Sequence, residues 1–189
     1  MPQKIAAGNW KMNGTQASLS EIQAIAEAAQ ESPCTTILCP PAHLLHRAAR
    51  LAGPLAIGGQ NCHHAPSGAF TGDISAAQLA DCGASYVILG HSERREGYGE
   101  SDSLVRAKAQ AALNAEIALI DNKAEQARLT GEEINVIDEK RAALLKQINL
   151  LREDGFKFDD TDKNNIRVLI GDNIELIELW EDQIVLLAE

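Results

Sequence analysis

Along the first 115 positions, apolar runs of four or five residues alternate with longer segments whose apolar residues recur at three- and four-residue spacing. The short runs predict strands covered on both faces, which read as near-continuous apolar stretches. They fall at 4–7, 35–39, 55–59 and 86–89. The spaced segments predict helices. One spans about 18–30, with Ile22, Ile25 and Ala29 on one face, and a second spans 42–51 after Pro40-Pro41 stops the strand. Two more are expected at 76–81 and 103–114, with a long polar loop before the third. Strands alternating with helices at this spacing imply right-handed βαβ units and a parallel sheet.

The pattern changes after residue 115. The segment 116–121, Glu-Ile-Ala-Leu-Ile-Asp, fits a fifth strand or a continuation of the preceding helix. The strong helix formers from Arg106 to Glu116 hold no breaker, which favours the helix. Thr130 and Glu133 have capping-box spacing. They would open a helix over about 132–153, with Ile134, Ile137, Arg141, Leu144, Ile148 and Leu151 on one stripe and Gly155 as its stop. A second helix is expected over about 163–188, where Ile166, Ile170, Asn173, Ile177, Trp180, Ile184 and Leu187 repeat a four-three pattern. Asn173 on that seam is the kind of single polar residue that fixes register and oligomer state. Gly171 would cost such a helix about 1 kcal/mol relative to Ala. The chain therefore divides into 1–115 and an acidic helical segment, 116–189, forming a hairpin or coiled coil.

Charge and composition sharpen that division. The 189 residues carry a formal net charge of −10, of which −2 falls in 1–116 and −8 in 117–189. Such a balance excludes a nucleic-acid surface, which needs a basic patch. All four Cys, all five His and all six Pro precede residue 92. The cysteines lack metal-ligand spacing and read as reduced, buried thiols suited to a cytoplasmic protein. His63-His64 has no further ligands at metal spacing, and Asp159, Asp160 and Asp162 lack the glycine and terminal Glu of an EF-hand loop. No metal or cofactor is expected. No long apolar run or signal peptide appears, so neither a membrane span nor secretion is indicated.

The densest chemistry lies in Tyr86-Val-Ile-Leu-Gly-His-Ser-Glu-Arg-Arg95, where a strand ends and Gly90 turns the chain to present His91, Ser92, Glu93, Arg94 and Arg95. Titratable groups at the C-terminal end of a parallel strand sit where α/β folds place their chemistry. A neutral His there can donate a hydrogen bond to a carbonyl or shuttle protons. Glu93 with Arg94 and Arg95 is equally readable as a structural ion-pair cluster.

Gly90-His91-Ser92-Glu93-Arg94-Arg95 resembles the catalytic-histidine signature of triosephosphate isomerases. Ala7-Gly8-Asn9-Trp10-Lys11-Met12-Asn13-Gly14 resembles that family's first strand-loop. Gly59-Gln60-Asn61-Cys62 and Gly68-Ala69-Phe70-Thr71-Gly72-Asp73-Ile74-Ser75 resemble its third loop. The resemblance spans about 3–115 and implies half of a (β/α)8 TIM-type barrel, four βα units, followed by the helical segment; a whole barrel needs roughly 250 residues. That family isomerises a phosphorylated triose with a glutamate base, a neutral histidine electrophile and a closing loop that excludes water. By resemblance His91 is the electrophile and Lys11 the positive charge facing the phosphate and developing enediolate. Asn9 would bind substrate with Lys11, and Glu93 would hold the network by pairing with Lys11. Asn13 and Thr71 would lie at a dimer interface.

The resemblance also implies a Tyr-Glu-Pro-Val-Trp-like base strand, a mobile lid and two glycine-rich phosphate loops, and 116–189 contains none of them. Arg128-Leu-Thr-Gly131 only faintly echoes the family's Arg-x-x-Gly. Groups that act as a unit lose nearly all rate enhancement when several are removed. The first reading is thus a truncated or chimeric derivative of the family, catalytically inactive, serving as a scaffold whose helical tail caps it or joins two copies. A second reading is an active isomerase interconverting glyceraldehyde 3-phosphate and dihydroxyacetone phosphate, with a base from another chain or from Glu125, Glu132 or Glu133. A third is a coiled-coil module that recruits a partner.

Overall fold

Four strands lie side by side in chain order, all parallel: β1 (Ile5–Asn9), β2 (Thr35–Cys39), β3 (Ala56–Gly59) and β4 (Tyr86–Leu89). The computed structural model describes residues 4–130, 135–152 and 168–170. Between the strands run α1 (Leu19–Ala29), α2 (Leu45–Leu51), which is entered through a 3-10 turn, and α3 (Ala76–Asp81). After β4 come α4 (Ser92–Tyr98), α5 (Asp102–Thr130) and α6 (Asn135–Arg152). Four βα units in sequential parallel order make a half-barrel of the TIM type.

Side-chain alternation along each strand separates two apolar layers, since successive Cβ atoms point to opposite faces. Leu38, Ile57, Val87 and Leu89 face the helices and pack with Ile22 and Ala26 of α1, Leu45 and Ala48 of α2, Leu79 of α3, and Val105, Ala109 and Leu113 of α5. Leu144 and Ile148 of α6 join the same layer. Ile37, Cys39 and Ile88 form a smaller cluster on the opposite face, with Ile5, Ala7, Ala56 and Tyr86 around it. That face is the one a closed barrel turns to its interior. Gly58 permits the close strand packing there, because a Cβ on it would lie 2.6 Å from the Cys39 sulfur.

Three differences from the sequence-based expectations stand out. Residues 92–98, read as a turn, form α4, which Gly99 closes at φ +67. Its first turn is capped by His91, whose Nδ1 accepts the Glu93 N–H. Second, Thr130 ends α5 instead of capping the next helix, while 116–121 continues α5 as the helix formers before it favour. Third, part of the helix expected over about 163–188 is corrected: Val168–Ile170 is β5, antiparallel to Val87–Leu89 on the outer edge of β4. An edge strand presents a row of backbone donors and acceptors, and a short β-branched run satisfies them where a heptad pattern does not. The remainder of that helix, Gly171, Asn173 and the acidic link at 159–162 lie outside the described residues. The expected helix over about 132–153 is α6 from Asn135 to Arg152.

Candidate functional site

The C-terminal ends of β1, β2, β3 and β4 converge on one rim, and the charged loop residues gather there. Asn9 closes β1, and its Oδ1 accepts the Lys11 N–H at 2.8 Å. Lys11 adopts φ +52, the left-handed region that non-glycine residues rarely occupy. Such a conformation persists only where surrounding bonds over-determine it, and it clusters at functional sites. Its Nζ reaches Glu93 Oε1 at 2.8 Å across the rim. Glu93 Oε2 stands 3.6 Å from His91 Nδ1.

Gly90, at φ +68, makes the turn that delivers His91; a Cβ there would lie 2.9 Å from Val105. His91 is 4% exposed, and its Nδ1 accepts the backbone N–H of Glu93 at 3.2 Å. An accepting Nδ1 places the proton of the neutral ring on Nε2, a tautomer assigned by the hydrogen-bond pattern. Such a ring can polarise a carbonyl oxygen through Nε2–H. The structure thus brings Asn9, Lys11, His91 and Glu93 together.

Asn13 lies on the same loop, exposed, with its Nδ2 donating to the Trp10 carbonyl at 2.9 Å. Thr71 sits apart, exposed on the loop after β3, next to a stack in which Phe70 lies 3.9 Å from His63. His63 and His64 are loop residues, and no group of three potential metal ligands occurs among the described residues. Cys34, Cys39, Cys62 and Cys82 are all free thiols. Burial pushes Cys39 up to about 12 and Cys62 up to about 11.

Arg94 and Arg95 pair with Glu100 and Asp102. Arg94 Nε donates to Glu100 Oε1 at 2.6 Å, and its guanidinium lies 4.5 Å above the Tyr98 ring. Arg95 bonds the Gly90 carbonyl and Asp102. Glu100 Oε1 also receives Lys108 Nζ at 2.6 Å, and Lys108 in turn donates to Asn61 Oδ1 at 2.8 Å. Burial alone would raise the Glu100 carboxyl, but the hydrogen bonds and charges of Lys108 and Arg94 outweigh it and hold the group below its ordinary range. This buried network fastens α4 and α5 to the loop after β3.

The sequence reading missed that network and Gln60. A signal for Lys108 existed: it falls on the stripe of Val105, Ala109 and Ala112 at helical spacing, so a charge there must be buried and paired. Gln60 gave none beyond its place in the third-loop motif. Its Nε2 donates to the carbonyls of Lys11 at 2.9 Å and Cys39 at 2.8 Å. At the opposite end of the strands, a groove between α3 and α5 is lined by Leu79, Tyr86, Ala112 and Glu116, the last facing Lys140 at 3.6 Å.

The comparisons with known proteins agree with this geometry. The sequence profile described as "Triosephosphate isomerase" matches residues 4–154, beyond the boundary expected near 115. The triosephosphate isomerase of Ruegeria pomeroyi is 56% identical over 122 residues, covering 64% of this chain and 49% of that protein. That of Rhizobium etli is 51% identical over 146 residues, covering 74% and 57%. The crystal structure of the Bartonella henselae triosephosphate isomerase superposes with a TM-score of 0.59 at 40% identity, covering 82% of this chain and 64% of that one. The chain thus spans about half the length of the curated relatives it matches. With the profile covering most of its residues and the half-barrel carrying the matching motifs, the chain belongs to the triosephosphate isomerase family.

Proposed function

We propose that this chain supplies the electrophile-and-lysine half of a triosephosphate isomerase site, binds a phosphorylated triose there, and turns it over poorly by itself. The observation that carries this reading is the contact of Lys11 Nζ with Glu93 Oε1 at 2.8 Å beside a buried His91 whose Nδ1 is held by a backbone N–H. His91 hydrogen-bonds the substrate carbonyl oxygens through Nε2–H, and Lys11 leaves Glu93 partly to face the anion, with Asn9 fixing its backbone. Residues 116–189 contain no segment resembling the family's base strand, lid or phosphate loops. Proton abstraction therefore lacks its partner, and the rate falls with it. The half-barrel, 1–115, carries the site, and 116–189 acts as cover or association segment. The four free thiols suit a reducing compartment, and a cytoplasmic location is part of this proposal.

Association is the second part of the reading. Met12 is 97% exposed beside Lys11 and Asn13, and Phe70 and Tyr98 are also exposed. Apolar side chains exposed beside polar loop tips suit a self-complementary contact, with Asn13 and Thr71 meeting across it.

The test is turnover of glyceraldehyde 3-phosphate by the purified chain beside His91→Gln, with binding of the substrate followed in parallel. Binding that weakens in the variant, with turnover far below family rates, supports the proposal. Rapid turnover that vanishes in His91→Gln would show that a base is supplied after all, and absence of binding would refute the half-site.

A further inference from the structure

We infer that Gln60 is a positioning residue for Lys11: its carboxamide locks the left-handed backbone from which the lysine reaches across the rim. Both partners of the Gln60 amide are carbonyl oxygens, those of Lys11 and Cys39. The NH2 end must therefore face them, which settles the side-chain orientation without reference to anything else. The Cys39 carbonyl also receives the Trp10 N–H at 3.1 Å. One amide from the end of β3 thus ties the last residue of β2 to the loop leaving β1. Lys11 is held from two sides, its N–H by Asn9 Oδ1 at 2.8 Å and its carbonyl by Gln60 at 2.9 Å.

The conformation so held is costly. Lys11 is the one non-glycine residue with positive φ among the described residues, at +52. A relaxed lysine there would return to φ below zero, swinging the side chain away from Glu93. Half-exposed ion pairs are too weak to impose a backbone conformation by themselves. Nζ and Glu93 meet because the backbone is already set, and the donor that sets the carbonyl side is Gln60. The inference rests on Lys11 being the residue that meets the substrate anion, but its test reads Lys11 directly and needs neither turnover nor substrate.

The experiment is a pH titration of the full chain with isotopically labelled lysine, following the Lys11 Cε and Nζ resonances, identified by their loss in Lys11→Arg. In the wild-type chain they should shift as Glu93 titrates, and Glu93→Gln should remove that step. Gln60→Met keeps the side-chain length but has no donor, and should reduce the step to less than half. Where Gln60→Met fails to fold, Gln60→Asn serves, being too short to span both carbonyls, with the same expectation. A second reading separates positioning from general support: Gln60→Met should lower Tm by more in a Lys11→Gly background, where there is no left-handed strain to release, than in the wild-type chain, where the freed lysine relaxes and recovers part of the loss. A step of unchanged size in the Gln60 variants, no step in the wild type, or an equal Tm loss in both backgrounds would each overturn the assignment. Failure of triose binding with these results intact would instead refute only the half-site.

Discussion

Two carboxylates seven residues apart meet opposite environments. The Glu93 side chain is 56% exposed on the rim and pairs with a Lys11 side chain that is 50% exposed. Glu100 is 2% exposed, and one of its oxygens takes both Lys108 and Arg94 at 2.6 Å. In the first pair water screens the charges, so the contact contributes little to stability and its members remain able to exchange partners for a ligand. In the second, desolvation makes each charge depend on the others, so the cluster fastens three elements and exchanges nothing. Exchangeable and structural ion pairs thus sit side by side on α4 and the turn after it, and burial decides which is which.

Breaking the buried cluster should have the largest effect. Glu100→Ala leaves Lys108 and Arg94 without their shared acceptor, and removing one partner of a buried pair costs about 3–5 kcal/mol. Chemical denaturation of the purified variant checks this; a loss below about 1 kcal/mol would mean that the cluster behaves like a surface pair.

Acid sharpens the contrast. Because the folded Glu100 carboxyl lies below its unfolded value, its contribution is fully present above the ordinary glutamate range, near 4.3, and is lost as pH falls through the lower folded value. The Tm difference between the wild-type chain and Glu100→Gln should therefore be constant near neutrality and shrink on acidification. A difference that widens toward low pH would show that the carboxyl is raised, not lowered.

The smallest expected effect belongs to the rim. Lys11→Met and Glu93→Gln should each change stability by less than about 1 kcal/mol, as exposed ion pairs do, while weakening binding of the phosphorylated triose. A loss comparable to that of Glu100→Ala would place Lys11 and Glu93 in the folding core instead.

Much of this was legible in the sequence, and the reasons differ by element. β2, β4 and α3 fall where the pattern puts them, because strands covered on both faces leave a contiguous apolar signal; at α3 the structure adds the capping box of Ser75 with Gln78. The gathering of Asn9, Lys11, His91 and Glu93 could be expected from motifs, each lying at the end of a strand in the same parallel sheet. α4 was hidden because Ser92–Tyr98 has no apolar stripe: it is a polar helix started by a histidine cap. β5 was hidden because three residues within an apparent heptad carry no period of their own.

The sequence by itself determined the four strands and, α4 apart, the helices of the first 115 residues, the order of the βα units, and the residue types brought to the rim. These follow from local periodicity, turn chemistry and the right-handed connection, all of which act along the chain. Only the tertiary structure decided that Glu93 pairs with Lys11 while Glu100 takes Arg94 and Lys108, that Gln60 grips the Lys11 backbone, and that Val168–Ile170 lies against β4. Each joins positions with no fixed relation along the chain, through hydrogen bonds and charges whose strength depends on burial and distance.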